Sequence, residues 1–139
     1  TIIPGDAVVR FDMRLVGNQD PDKISNLLAE HIKKVCPDAE VETSEGVWPS
    51  SSDCNLPICR TVVQAVGKVY GCKPYVMPRV GATIPEYLFT KVVGIPALTM
   101  PYANADENNH APNENMDVEC FYKGIHCTAE VLHEIGNME

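Results

Sequence analysis

Between Val8 and Leu15 the side chains change character at almost every step: Val9, Phe11, Met13 and Leu15 alternate with Val8, Arg10, Asp12 and Arg14. A period of two is what a strand with one buried face requires, and a helix cannot satisfy it. The next segment is equally restrictive. After Gly17 and Asn18, Asp20 stands where a helix N-cap belongs, with Pro21 at the first helical position. Ile24, Leu27, Leu28, Ile32 and Val35 then follow at the spacing of an amphipathic helix. A second short strand over 39–42 completes a β-α-β unit.

From Thr43 to Asn55 neither period fits, and Gly46, Pro49 and Ser50 to Ser52 read as a linker between two lobes. Beyond it, Ile58, Val62, Ala65, Val66 and Val69 mark a helix ending near Gly71, and Tyr75 to Met77 a strand. Thr83 with Pro85 caps a short helix that runs to Val93 and stops at Gly94, and Ala97 to Met100 is a brief buried strand. Residues 101–117 form a long polar loop, after which Asp117 caps a last helix carrying Val118, Phe121, Ile125, Leu132 and Ile135. The alternation favours an α/β lobe with a mostly parallel sheet covered by helices. Two strands are too few to complete such a sheet, and Thr-Ile-Ile-Pro at the start already reads as the lead-in to a strand. The expectation is a piece of something longer.

The 139 residues suit one domain or two small lobes, and 45% hydrophobic content is enough for a core. With 11 Lys and Arg against 19 Asp and Glu the net charge is −8, and no basic run reverses it locally. Nucleic acid and anionic membrane surfaces are thereby excluded as partners. The apolar stretches are too short to span a bilayer and none reads as a secretory signal. Cys36, Cys54, Cys59, Cys72, Cys120 and Cys127 fall mostly within helix-like or strand-like patterns and include no CxxC pair. They read as free thiols in a reducing, cytoplasmic setting, not as staples or a zinc cluster.

Chemistry concentrates in two places. The loop Asn104-Ala-Asp-Glu-Asn-Asn-His-Ala-Pro-Asn-Glu-Asn115 follows a buried strand, where α/β folds bind ligands, and sets His110 among Asp106, Glu107 and Glu114, carboxylates able to orient its ring. A solvated loop with a surface histidine is the plainer alternative. The second is Arg79-Val-Gly-Ala-Thr-Ile-Pro85, a glycine turn into a helix start with a guanidinium nearby, which suits a carboxylate or serves only as an αβ turn. His126 and Cys127, adjacent on a helix, point apart and cannot form a nucleophilic pair. His31 reads as a packed core or edge residue.

Taken together, three segments carry a resemblance. Thr1-Ile-Ile-Pro4, Phe11-Asp-Met-Arg14 and Gly17-Asn-Gln-Asp-Pro21 resemble the second half of the lid domain in the M20 family of zinc-dependent peptidases and amidohydrolases. Arg79 to Pro85 resembles that family's Arg-x-Gly-Gly-Ser/Thr-Ile-Pro turn, with Ala82 where the family often has Gly. Gly94-Ile-Pro96 and Asn109-His-Ala-Pro-Asn-Glu114 resemble its last buried strand and C-terminal ligand loop.

The resemblance implies a partial ferredoxin-like lid β-α-β unit over 1–44, a dimerisation element, followed over 45–139 by the C-terminal half of a three-layer α/β zinc-hydrolase catalytic domain. It implies a homodimeric parent in which two zinc ions, or cobalt or manganese, activate water against the amide of a small peptide or N-acyl amino acid. Carried over by position, His110 is a metal ligand and Arg79 the clamp for the substrate carboxylate. Gly81, Thr83 and Asn113 line the substrate site, and Glu114 helps fix the loop. The general base and the remaining ligands belong to an N-terminal half with no counterpart in these residues, so the chain alone is expected to be inactive. The competing expectation is a non-catalytic module that keeps the β-α-β unit for oligomer contact.

Overall fold

The computed structural model describes residues 1–138. Contacts divide the chain into two units, Thr1–Ser50 with Gly81–Gly94, and Ser51–Val80 with Ile95–Glu139.

The first unit holds helix α1, Pro21–Val35, and its ends form as the sequence indicates. The Asp20 carboxylate accepts from the backbone N–H of Asp22 at 2.9 Å and of Lys23 at 3.2 Å, meeting two of the donors that a helix start leaves open. Lys33 and Lys34 lie in the last turn, where a cation complements the helix dipole. Gly46 passes so close to α1 that a Cβ there would come within 2.5 Å of Pro21 Cβ. A six-residue π-helical segment, Leu88–Val93, ends at Gly94, whose φ of 79° is left-handed. The helix expected to be capped by Thr83 therefore starts later and is wound differently. Thr83 caps nothing, because its hydroxyl accepts from the Arg14 guanidinium.

The second unit is built on α2, Pro57–Tyr70, and α3, Val118–Gly136. Gly71 closes α2 in the left-handed conformation, φ 68°, its N–H bonded to Gly67 O at 2.9 Å. The two helices pack through Val62, Ala65, Cys127 and Val131, flanked by Ile58, Val66, Val69, Met100, Tyr102 and Ile135. Gly124 lets Tyr102 lie close against α3, since a Cβ would stand 2.8 Å from Tyr102 Cγ. Along the rim Lys68 pairs with Glu130 and, at 3.3 Å, with Glu134. All six cysteines are free thiols, and burial pushes the Cys127 thiol above its ordinary pKa, which keeps it protonated and inert.

The strands are the principal correction. No segment among the described residues forms a ladder, so neither the lid β-α-β unit nor the parallel sheet of a three-layer α/β domain is present. Segments 8–15, 39–42, 75–77 and 97–100 lack regular secondary structure and do not pair. Alternation specifies which face of a strand is buried, but a strand also needs a neighbour for its N–H and C=O groups. Val9 accordingly stays 79% exposed and Phe11 58%. At Ala97 a side chain supplies what a neighbour would: Ser52 Oγ donates to Ala97 O at 2.8 Å and accepts from Ala97 N–H at 2.9 Å.

Candidate functional site

The loop between Ala103 and α3 contains three non-glycine residues in the left-handed region within six positions, Asn108 at φ 55°, His110 at 61° and Asn113 at 62°. Asparagine tolerates this conformation because its short amide bonds to nearby backbone; histidine gains less, and each such residue costs about 1–2 kcal/mol unless its surroundings impose it. Here they do. Asn104 Oδ1 accepts from Asp117 N–H at 2.9 Å across thirteen positions, while Asn104 Nδ2 donates to Asp106 Oδ1 at 2.7 Å and to Asn115 Oδ1 at 3.3 Å. Asn115 Nδ2 donates to Asn113 O at 3.0 Å, and Asn115 N–H donates to Glu107 O at 2.9 Å. Ala111 N–H donates to Asn108 O at 2.8 Å and closes a turn around His110.

His110 is exposed and its ring makes no hydrogen bond among the described residues. Of the carboxylates expected to be able to orient it, Asp106 accepts from Asn104 Nδ2, a bond that also holds its pKa below the ordinary range. Asp117, expected to cap α3, occupies the N-cap position but makes no capping bond with its side chain. Its own N–H is instead the loop's anchor.

Arg79 is exposed and has no ion-pair partner among the described residues. It shares a unit with His110 and Asn113, and no hydrogen bond joins the three among the described residues. Gly81 and Thr83 belong to the other unit. Gly81 would meet nothing within 4 Å if given a Cβ, so neither packing nor a positive φ demands glycine there. His31 proves exposed, not packed. His126 is exposed while Cys127 beside it is fully buried, as opposite helix faces require.

Among the described residues no three His, Cys, Asp or Glu side chains are disposed to hold a metal ion. His110, the ligand expected from the sequence, belongs to no such group among the described residues. The first unit has a cleft of about 360 Å³, lined by Trp48, Tyr87, Lys91 and Val92, with the Lys91 ammonium 4.2 Å from the Trp48 ring centre. No helix among the described residues is long and apolar enough to cross a membrane.

Sequence reading missed Asn104 and Asn115. The available signal was an asparagine at each end of a long polar loop, with further asparagines at the interior positions where left-handed backbone occurs.

Residues 1–40 match the peptidase dimerisation domain family M20_dimer. The chain is 27% identical to a Cys-Gly metallodipeptidase of Schizosaccharomyces pombe over 99% of its length and 30% of that protein's. It is 23% identical to a beta-Ala-His dipeptidase of Homo sapiens, covering 99% of this chain and 28% of the other. Among solved structures it resembles an M20 family metallo-carboxypeptidase from Sulfolobus solfataricus, with a TM-score of 0.78 and 33% identity over 87% of this chain and 29% of that one. The chain thus spans about 30% of the length of the curated relatives it matches.

Proposed function

We propose, on kinship with the M20 metallopeptidases, that this chain is part of a metal-dependent hydrolase that cuts the amide or peptide bond of a small substrate with a free carboxylate. The carrying observation is a likeness to a metallodipeptidase that runs along 99% of the chain. In this reading residues 1–44 belong to a lid and dimerisation domain and 45–139 to a catalytic domain. His110 donates one ligand to a pair of ions, zinc or in its place cobalt or manganese. Arg79 takes the substrate carboxylate, and Gly81, Thr83 and Asn113 are substrate-binding residues. The dipeptides in the relatives' names, Cys-Gly and β-Ala-His, both end in the carboxylate that a free guanidinium would bind.

The general base and the other ligands come from residues outside this chain. A lone histidine holds a metal weakly, so the 139 residues by themselves are inactive. The surface supports this division: Val118, Tyr122, Ile125 and Leu132 leave one side of α3 apolar and exposed, a face suited to the rest of a catalytic domain. The match over residues 1–40 supports a second copy as partner of the lid.

The test is to isolate the intact protein from its source cells, measure its mass and bound metal, and assay Cys-Gly and β-Ala-His. The expected result is a species much heavier than 15.3 kDa that turns over at least one of these and loses both metal and turnover in His110→Ala. Full activity in that variant would refute the ligand role, and turnover by the 139 residues alone would refute the division of the site.

A further inference from the structure

The His110 loop is a 12-residue Ω-like excursion between Asn104 and Asn115, and it should be floppy: its side chains are polar, nearly all are exposed, and it contributes nothing to the α2–α3 core. Its backbone is nevertheless in a costly shape, with Asn108, His110 and Asn113 all left-handed. Something outside those residues must impose it, and among the described residues two side chains reach across. Asn104 joins the loop's start to its end through Asp117 N–H at 2.9 Å, and the same amide reaches Asp106 and Asn115. Asn115 returns the connection inward, to Asn113 O at 3.0 Å and Asp106 O at 3.5 Å. Each amide uses both donor and acceptor, a division of labour that neither Asp nor Ala can reproduce.

We infer that Asn104 and Asn115 are positioning residues, a pair of interlocked amides that sets the left-handed backbone at His110 and so aims its Cα–Cβ bond before any ligand arrives. Two further features agree. The anchor is the N–H of Asp117 at the N-cap of α3, the longest helix among the described residues, so the loop is tied to an element of its unit's core. The His110 ring itself is exposed and makes no hydrogen bond among the described residues, so the direction of its Cα–Cβ bond comes from the backbone, and the ring turns about χ1 and χ2. The purpose of this arrangement rests on the donor role proposed for His110; the arrangement itself does not.

Hydrogen–deuterium exchange read by mass spectrometry on the intact protein tests it, using peptides across 103–117 and across α2 and α3. In the wild type the loop peptides, including the amides of Ala111, Asn115 and Asp117, should exchange at least tenfold more slowly than an unstructured chain. Asn104→Ala and Asn115→Ala should each erase that protection while α2 and α3 keep theirs. Asn104→Asp should recover part of it, because its carboxylate can still accept from Asp117 N–H at a helix start, where negative charge is favoured. Loop protection unchanged in both alanine variants overturns the inference, and so does a wild-type loop that exchanges as fast as unstructured chain. His110→Ala separates the two readings: lost turnover with the loop still protected supports both. Retained turnover with the loop still protected removes only the donor role.

Discussion

Arg14 and Arg79 carry the same charge but have different tasks. Arg14 is engaged, with Asp12 at 3.1 Å and with the Thr83 hydroxyl, whereas Arg79 is exposed without an ion-pair partner among the described residues. If Arg79 takes a substrate carboxylate, Arg79→Ala in the active parent should raise KM by a factor equivalent to on the order of 1.5 to 3 kcal/mol, with a carboxamide analogue unaffected. Steady-state kinetics on matched acid and amide substrates decide this, and equal losses on both would contradict it. Gly124 makes the opposite kind of prediction. Alanine usually strengthens a helix interior by about 0.5–1 kcal/mol, yet here the methyl would press into the Tyr102 ring at 2.8 Å. Gly124→Ala should therefore destabilise, by about 1–3 kcal/mol in chemical denaturation. At this scale the sequence marked His110 and Arg79 because their chemistry is distinctive. It left Asn104 and Asn115 unmarked because an asparagine's role depends on which backbone groups lie within 3 Å, and spacing does not record that.

Among the elements, the helices were legible and the strands were not. Each helix carries its own hydrogen bonds, so Asp20, Pro21, Gly71 and the apolar spacing sufficed to place α1 and the end of α2. A strand's bonds lie in another segment, and an alternating pattern says nothing about whether that segment is present. Asp20→Ala should cost about 0.5–2 kcal/mol, read as lost helicity over residues 21–35. The Lys68 contact between α2 and α3 gives a pH dependence. Hydrogen bonding to Lys68 holds the Glu130 carboxyl below its ordinary range, and the bonds to Glu130 and Glu134 raise the Lys68 ammonium above its own. The Glu130 contribution is present above the ordinary glutamate pKa and is lost as pH falls through the lowered folded value. The Lys68 contribution is present below the ordinary lysine pKa and is lost as pH rises through the raised one. The stability gap between wild type and Lys68→Ala should therefore be widest near neutrality and close in strong acid, as thermal unfolding followed by circular dichroism would show. A gap independent of pH would mean that the pair contributes packing alone.

For the whole molecule the controlling quantity is surface. The accessible area is 11461 Å², whereas a folded monomer of 15.3 kDa exposes roughly 7,100 Å². Exposed large apolar side chains run from Ile2 and Ile3 through Val9 to the outer side of α3. The isolated 139 residues should bind a hydrophobic dye and associate with rising concentration, measured by fluorescence and sedimentation; a dye-silent monomer would show the surface to be closed. The contact at Ala97 adds a kinetic consequence. The Ser52 hydroxyl that meets both backbone groups of Ala97 occupies the donor and acceptor that a neighbouring strand would use. A strand that paired at Ala97 would first have to displace that hydroxyl, so Ser52→Ala should speed any such pairing while removing two hydrogen bonds from the resting chain.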